Sequence, residues 1–221
     1  SSAAIQLSFL DIVGTKTSGL LPTGQAADTI DGVTVSCLDA ATPIIMIDAR
    51  ELGLSGRETP LELDSDSDLL KRLERIRRHA GELMGLGDVS DSVLPKPVLA
   101  SPAEDAERTL CTRYFVPHRC HKAIAVTGAI AVASAVSVPG TVANRIAIDA
   151  GQLKAGDLKA AVSLEHPSGF IDLQVEHRDG DPGDIARASL IRTARKIMSG
   201  TLFYALPDPT LPGTSSSRPG P

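Results

Sequence analysis

One segment restricts the fold of this chain more than any other: a run of small, mostly apolar residues from Ala123 to Val138, with the sequence AIAVTGAIAVASAVSV. The run predicts an α-helix that is apolar on every side. A helix of that kind is buried, with other elements close to it all round. It falls short of the roughly 18 continuous apolar residues of a membrane span, because Thr127, Ser134 and Ser137 interrupt it. The sequence therefore predicts a buried central helix.

A second helix and several strands accompany the central helix. Asp64 to Asp68 supplies capping residues and acidic charge at the start of an amphipathic helix. Its apolar positions follow spacings of three and four, and they are Leu69, Leu73, Ile76, Ala80 and Leu83. Alternating or β-branched apolar stretches predict strands. These are Ile5–Val13, Val33–Leu38, Pro43–Asp48 and Leu110–Val116, with two strand pairs, Val162–Leu164 with Phe170–Val175 and Ala186–Ile197 with Thr201–Leu206.

These elements predict an α+β fold in which a curved, mixed sheet wraps around the central helix and the amphipathic helix lies outside. We expect one lobe over residues 1–206, with an irregular surface loop at Val89–Glu107. The tail, residues 207–221, is rich in Pro, Gly and Ser, which predicts disorder. An apolar strand follows Ser1 almost at once, so we also expect that the chain begins inside a longer protein.

Charge and cysteine content argue against several classes of function. The net charge is −5, and the densest basic stretch, Lys71–Arg78, is interleaved with apolar helix positions, which predicts a solvated face and no nucleic-acid interface. Cys37, Cys111 and Cys120 have neither an even count nor metal-ligand spacing, so we expect a reduced, cytoplasmic protein without a metal site. The chain has no signal-peptide pattern at its start, no nucleotide-binding glycine fingerprint and no GxSxG motif.

Four short stretches place polar groups where the local pattern does not need them. Gly14–Gly19 (GTKTSG) combines a lysine, hydroxyl groups and backbone N–H groups, which suit a carboxylate or a phosphate. His121 and Lys122 precede the central helix, whose N-terminus attracts anions. The turn His166–Gly169 (HPSG) presents an imidazole and a hydroxyl between two strands. The stretch Arg192–Lys196 carries basic side chains that can hold a carboxylate bidentately.

Each stretch also has an interpretation without a ligand. Gly14–Gly19 is also compatible with an ordinary surface loop. Basic residues such as His121 and Lys122, at the end of a buried helix, often mark only the point where the helix reaches solvent. Pro, Ser and Gly are common residues of hairpin turns, and charges on an edge strand protect it against pairing with another chain. Composition favours the interpretation without a ligand for the first and last stretches and leaves the other two open.

Taken in order, five segments resemble the PrpF family, which includes 2-methylaconitate cis-trans isomerase and 4-oxalomesaconate tautomerase. They are FLDIVGTKTSGLLPTG, DGVTVSCLDAATPIIMIDARELGLSGRETP, HKAIAVTGAIAVASAVSVPGTVAN, HPSGFIDLQV and RTARKIMSGTLF. The resemblance runs from about residue 5 to residue 206 and implies a diaminopimelate-epimerase-like lobe, one of two that enclose a cleft. It covers the family's C-terminal half only. The N-terminal half, with an Asn-Cys-Gly type motif and a lysine as the main acid–base groups, has no counterpart here.

The resemblance implies a cofactor-independent isomerase that shifts the double bond of unsaturated di- or tricarboxylic acids, such as 4-oxalomesaconate or (methyl)aconitate. The reaction is a 1,3-proton transfer or a cis-trans isomerisation, and adjacent carbonyl groups delocalise the charge, so no metal or organic cofactor is required. The catalytic groups are expected on the N-terminal lobe, from the same gene or a separate chain. The candidates for substrate binding are Lys16, Thr17, His121, Thr127 and Ser168, with Arg192 or Arg195 as weaker candidates.

Two other functions stay open from the sequence. The missing acid–base groups favour a non-catalytic half-lobe that binds polycarboxylates, and a purely structural half-lobe within a homo-oligomer is also compatible. Nucleic-acid and membrane partners are not expected. The choice between keto and methyl substrates stays open, because the pocket that distinguishes them would draw on both lobes.

Overall fold

The computed structural model describes residues 3–158, 160–201 and 203. In this part of the chain, nine strands form one mixed sheet in the order β1-β9-β8-β7-β6-β5-β4-β3-β2. The strands are β1 Ala3–Leu10, β2 Asp28–Ile30, β3 Val33–Asp39, β4 Pro43–Asp48, β5 Lys96–Ser101, β6 Leu110–Tyr114, β7 Ala161–His166, β8 Gly169–His177 and β9 Ile185–Ala194. The helices are α1 Pro60–Ser65, α2 Ser67–Leu83, α3 Val126–Ser137 and α4 Val142–Asp149, with a short 3₁₀ helix at Ala49–Leu52.

The predicted central helix is α3, which buries every residue from Gly128 to Ser137. Its alanine, valine and isoleucine side chains lie in one core with α4 and the inner face of the sheet. Small side chains allow neighbouring strands to pack closely against the helix from several directions. The α+β class and the mixed sheet around an apolar helix are therefore confirmed.

The sequence analysis did not predict α4, which follows α3 after a short turn. Thr141 begins it by accepting a hydrogen bond from the Asn144 backbone N–H at 3.1 Å. The Val142 N–H donates to the Ser36 hydroxyl of β3 at 2.8 Å. This contact fixes the beginning of α4 against the sheet, and it joins residues that are far apart in sequence.

The sheet has a core on each face because side chains alternate along its strands. In β4, Ile44 and Met46 point into the core around α3, whereas Ile45 and Ile47 point to the opposite side. There they meet the apolar face of α2, which confirms the amphipathic helix outside the sheet.

The beginning of the outer helix differs from the prediction. Asp66 is the N-cap of α2 and accepts hydrogen bonds from the backbone N–H groups of Asp68 and Leu69. Before it lies the separate helix α1, where Thr59 and Glu62 cap each other reciprocally. Two caps in succession produce two helices, because Asp66 has an extended backbone conformation and interrupts the helical run.

The predicted surface loop Val89–Glu107 is wrong in its middle, where β5 forms a central strand between β4 and β6. The strand contains Pro97, and proline cannot donate a ladder hydrogen bond. Here its carbonyl accepts from Phe115 N at 2.9 Å, and the residues after it, Val98 to Ala100, are buried. Burial on both faces of the sheet stabilises the strand despite the proline.

Arg77 corrects the prediction that Lys71–Arg78 is a solvated face, since its side chain has no exposed surface. Its guanidinium forms two hydrogen bonds with the Glu74 carboxylate, at 2.6 and 2.8 Å. It also donates to the carbonyl oxygens of Leu94 at 2.7 Å and Val89 at 2.8 Å. One buried arginine thus ties the segment before β5 to α2.

The last predicted strand pair, Ala186–Ile197 with Thr201–Leu206, differs from the observed pairing. β9 ends at Ala194 and pairs with β1 and β8, because β1 supplies a partner from the other end of the chain. Thr201 and Phe203 are not in a strand, whereas residues 202 and 204–206 and the predicted tail lie outside the described residues. The predicted strands Ile5–Val13 and Leu110–Val116 end earlier, at Leu10 and Tyr114.

Within the described ranges, no single helix has the length and apolar composition that a membrane crossing requires. Only the bent pair of α3 and α4, at 66° to each other, meets the criterion on length and composition alone.

Candidate functional site

Strand directions place three of the predicted site segments at one end of the sheet. β4 is antiparallel to β3 and parallel to β5, β6 is antiparallel to β5, and β7 is parallel to β6. β3, β6 and β7 therefore run in the same direction, and their carboxyl ends lie at the same end of the sheet. The residues at these ends are Asp39, Tyr114 and His166. We call this end of the sheet the carboxyl end.

The segment between β6 and α3 is held in a fixed conformation at this end. The His121 N–H donates to the Tyr114 carbonyl at 2.7 Å, and His121 Nδ1 accepts from Ala123 N at 3.0 Å. The two rings meet edge to face, with centroids 6.3 Å apart. Because Nδ1 accepts a hydrogen bond, the neutral His121 ring carries its proton on Nε2.

The first turn of α3 has backbone donors without a side-chain cap. Ala125 is the N-cap, and it offers no side-chain acceptor to the N–H groups that follow. Such a turn carries partial positive charge and attracts a carboxylate. Thr127 lies in this turn, half-buried, and its hydroxyl forms no hydrogen bond within the described part of the chain.

The β7–β8 turn closes onto the segment that precedes α3. The Ser168 hydroxyl donates to the Lys122 carbonyl, and the Ser168 N–H donates to His166 Nδ1 at 3.2 Å. The structure therefore brings Ser168 next to His121 and Lys122, which are separated from it by more than forty residues. Two predicted candidates meet here, and a third, Thr127, lies one turn further along.

Burial, followed by electrostatic interactions with Arg192, His121 and Arg113, lowers the pKa of His166 below its ordinary value, so its imidazole is neutral at pH 7. Since Nδ1 accepts from the Ser168 N–H, the ring N–H is on Nε2 and can donate to an anion. His166 therefore lies beside Ser168, which contacts the Lys122 carbonyl next to His121.

Lys16 and Thr17 belong to a separate group. Their loop folds onto the buried carboxylate of Asp39, which accepts from Lys16 N at 2.7 Å, Thr17 N at 2.9 Å and Thr17 Oγ1 at 3.0 Å. The Thr17 hydroxyl therefore stabilises its own loop, whereas the Lys16 side chain is exposed. Four strand spacings separate β3 from β7, an arc of about 19 Å along the sheet. No hydrogen bond or ion pair in the described part of the chain joins this loop to His121 or Ser168.

The weaker candidates lie on exposed backbone. Arg192 is in β9, and its charge contributes to the lowered pKa of His166, which places it near the β7–β8 turn. Arg195 lies just after β9 and is exposed. Neither forms an ion pair within the described residues.

Tyr114 is a site residue that the sequence analysis missed. It is 1% exposed, and its hydroxyl has no hydrogen-bond partner among the residues that the structure describes. The ring packs against the first turn of α3, where a Cβ added to Gly128 would lie 2.7 Å from the Tyr114 Cζ. Lys96 Nζ lies 5.7 Å from the ring centroid. The sequence holds no direct signal for this arrangement, although a glycine in the first turn of a buried helix is compatible with a close neighbour.

The thiols of Cys37 and Cys120 are not activated as nucleophiles. Burial raises the pKa of Cys37 to about 12 and that of Cys120 to about 11. A thiol is reactive as the thiolate, so both side chains are inert at neutral pH. Among the described residues no group of His, Cys, Asp or Glu side chains could hold a metal ion.

Comparison with known proteins identifies the family. The family described as PrpF protein matches residues 1–205. The chain belongs to the PrpF family.

Similar proteins carry names of isomerases. "Putative isomerase YbhH" of Escherichia coli strain K12 is 45% identical over 203 residues, which cover 92% of this chain and 55% of that protein. The 4-oxalomesaconate tautomerase of Pseudomonas putida is 39% identical, over 91% of this chain and 53% of that protein. This PrpF chain therefore spans about half the length of the curated relatives that it matches.

A solved structure shows the same fold. The crystal structure named methylitaconate-delta-isomerase has a TM-score of 0.78 and 29% sequence identity. The match covers 90% of this PrpF chain and 55% of that chain. The arrangement of the sheet around α3 is therefore shared with an isomerase structure.

Proposed function

We propose that this PrpF chain is the carboxylate-binding part of a cofactor-independent isomerase of unsaturated di- or tricarboxylic acids. 4-Oxalomesaconate and (methyl)aconitate are representative substrates. The observation that carries the proposal is the contact of Ser168 with the segment at His121 and Lys122, beside the uncapped first turn of α3. The isomerase names of the relatives support the reaction class.

The chemistry of these groups suits the binding of a substrate carboxylate. The N–H groups of the first α3 turn offer donors and partial positive charge, and the Nε2–H groups of His121 and His166 add two more donors. A 1,3-proton shift beside a double bond generates a dienolate-like anion. Donors aimed at the oxygens where the additional charge develops stabilise that anion more than the substrate, and this difference lowers the barrier.

The groups that move the proton are proposed to lie on a companion N-terminal lobe, of the same gene or of a separate chain. The relatives' greater length supports this proposal, because the match covers about 55% of each relative. The raised pKa values of Cys37 and Cys120 also support it, since neither thiol can serve as a base in this chain at neutral pH.

Binding and chemistry are tested separately. We expect calorimetry to detect binding of cis-aconitate to the chain, and His121→Ala to weaken it by about tenfold, the usual effect of losing one hydrogen bond to a charged group. His79→Ala is the control, because His79 is exposed on α2. No heat of binding with any unsaturated tricarboxylate would count against the proposal.

Deuterium exchange distinguishes the enzyme from the alternative, a non-catalytic half-lobe. In D2O, the isomerase incorporates deuterium at the allylic carbon of its substrate. We expect this exchange only when the chain is combined with the remaining part of the family's length. Binding without exchange in that complete form would favour the non-catalytic alternative, for which the inert thiols are the supporting observation.

A further inference from the structure

A second polar cleft lies on the opposite face of the sheet from α3. In β6, Leu110 and Tyr114 point into the core around α3, so Cys111 and Arg113 point to the outer face. There a cleft of about 420 Å³ is lined by both of these residues. Its other walls are the segments at residues 104–108 and 165–170, together with Arg57.

Arg113 is buried in this cleft without a carboxylate partner. It is 7% exposed, and its guanidinium donates to the carbonyl oxygens of Glu58 at 2.6 Å and Thr112 at 3.0 Å and to Cys111 Sγ at 3.2 Å. None of these acceptors carries a full negative charge. Its Nη2 forms no hydrogen bond within the described ranges of the chain.

The other charges of the cleft are already compensated. Arg57 pairs with Glu104 at 3.3 Å, and Arg108 pairs with Asp105 at 3.5 Å. The Glu165 carboxylate accepts from the backbone N–H groups of Glu104 at 3.0 Å and Asp105 at 2.9 Å. Among the described residues, Arg113 is therefore the arginine of this cleft that lacks an ion pair.

A buried charge without a partner is unfavourable, and proteins usually satisfy it with a counter-ion or a ligand. We propose that the cleft binds a small organic carboxylate, held by Arg113 Nη2. His166 lines the same cleft.

The cleft favours a singly charged organic acid over phosphate. Three arginines and three acidic residues line it, so a phosphate dianion adds twice as much excess negative charge beside Glu165 as one carboxylate does. Phe170 supplies an apolar wall, with the Arg108 guanidinium 3.5 Å above its ring. An aliphatic chain attached to the carboxylate can pack against this wall.

This cleft is separate from the site at the first turn of α3, and the inference does not depend on the proposed function. The two sites share the β7–β8 turn, since His166 lines the cleft while Ser168 contacts the Lys122 carbonyl. A ligand in the outer cleft therefore contacts the turn that positions Ser168.

The test is an NMR titration of the ¹⁵N-labelled chain with sodium acetate at constant ionic strength. We expect saturable shifts at the amides of Cys111, Gly169 and Phe170. Arg113→Gln is expected to weaken acetate binding by at least about tenfold, because one charge-assisted hydrogen bond is lost. Arg78→Gln is the matched control and should change the affinity by less than about twofold, since Arg78 is exposed on α2 and does not line the cleft.

A second variant protects the test against misfolding. Arg113→Lys keeps the positive charge but loses the planar guanidinium with its several N–H donors. We therefore expect its affinity for acetate to lie between those of the wild type and Arg113→Gln. The absence of saturable shifts in the wild-type chain would overturn the proposal, as would equal acetate affinity in the wild type, Arg113→Lys and Arg113→Gln. Inorganic phosphate is titrated as a second probe, and tighter binding of phosphate than of acetate at the same amides would overturn the preference for a carboxylate.

Discussion

At the scale of single residues, the site depends on polar groups whose partners come from distant parts of the chain. Ser168 contacts Lys122, and the buried hydroxyl of Tyr114, beside the first turn of α3, has no partner in the described part of the chain. His166 is held neutral by burial and by neighbouring positive charges. Each of these properties has a measurable consequence.

The first prediction concerns the pH dependence of stability. The pKa of His166 is lower in the folded chain than the ordinary value of about 6.5 in the unfolded chain. The unfolded chain therefore binds this proton more readily, and the free energy of unfolding falls as the pH drops below about 6.5, with no contribution at higher pH. We expect His166→Gln to show a smaller fall between about pH 7 and about pH 5 in urea denaturation.

The control for this measurement is His79→Gln, because His79 is exposed on α2. It should follow the wild-type pH profile. If the free energy of unfolding of His166→Gln changed with pH as it does in the wild type, burial of His166 would not contribute to the pH dependence of stability.

The second prediction concerns the Tyr114 hydroxyl. A buried hydroxyl without a partner is unfavourable by about 1–3 kcal/mol, so Tyr114→Phe should leave the free energy of unfolding unchanged or raise it by up to that amount. The same change should weaken binding of cis-aconitate, if a ligand oxygen accepts from the hydroxyl. Tyr114→Ala is the comparison, with an expected loss of about 3–5 kcal/mol through the cavity it creates. A large destabilisation by Tyr114→Phe in urea denaturation would show that the hydroxyl has a partner.

At the scale of elements, two helices on opposite faces of the sheet have different roles. α3 is buried on all sides and brings its N-terminus to the carboxyl end of the sheet, where the candidate site lies. α2 covers the outer face with one apolar stripe and holds the segment before β5 through Arg77. The position of β5, a strand that the sequence analysis missed, depends on this second role.

The third prediction tests that role. Arg77→Ala leaves the carbonyl groups of Val89 and Leu94 and the Glu74 carboxylate without their donor, and we expect a loss of about 3–5 kcal/mol in the free energy of unfolding. Arg78→Ala is the matched control on the same helix, since Arg78 also pairs with Glu74 but is exposed. Arg78→Ala should lower the free energy of unfolding by less than about 1 kcal/mol. Similar losses for the two variants in urea denaturation would contradict the assignment.

At the scale of the whole molecule, the sheet has a core on both sides, and the cysteines are distributed between those cores and the outer cleft. Cys37 and Cys120 lie in the outer core, and Cys111 faces the outer cleft, where it is 4% exposed. All three are free thiols. Their accessibility therefore reports on opening of the whole fold.

The fourth prediction follows from this burial. Because the thiols of Cys37 and Cys120 are buried and their pKa values are raised to about 12 and about 11, the folded chain should react slowly with a disulfide reagent such as DTNB at about pH 8. In urea, all three cysteines should react at once. A thiol of either residue that reacts rapidly under native conditions would show that the outer core opens locally.

The sequence by itself determined the elements whose physical cause is local. The run from Ala123 to Val138 is apolar on every side, and the apolar spacing from Leu69 onward has one face, so a buried and an amphipathic helix followed directly. It also placed His121 and Ser168 among the candidates, although the contact of Ser168 with Lys122, the neighbour of His121, could not be inferred from spacing.

Only the tertiary structure decided which of those candidates meet and which polar groups are left without a partner. Strand pairing joins residues that are tens of positions apart, so it placed Ser168 on the Lys122 carbonyl and directed Thr17 to Asp39. Arg113 and Tyr114 are buried because loops and helices pack over β6. No local sequence pattern predicts this packing. Local periodicity in the sequence is enough to predict a helix. The candidate site could not be predicted in this way, because it depends on packing between residues that are far apart in the chain.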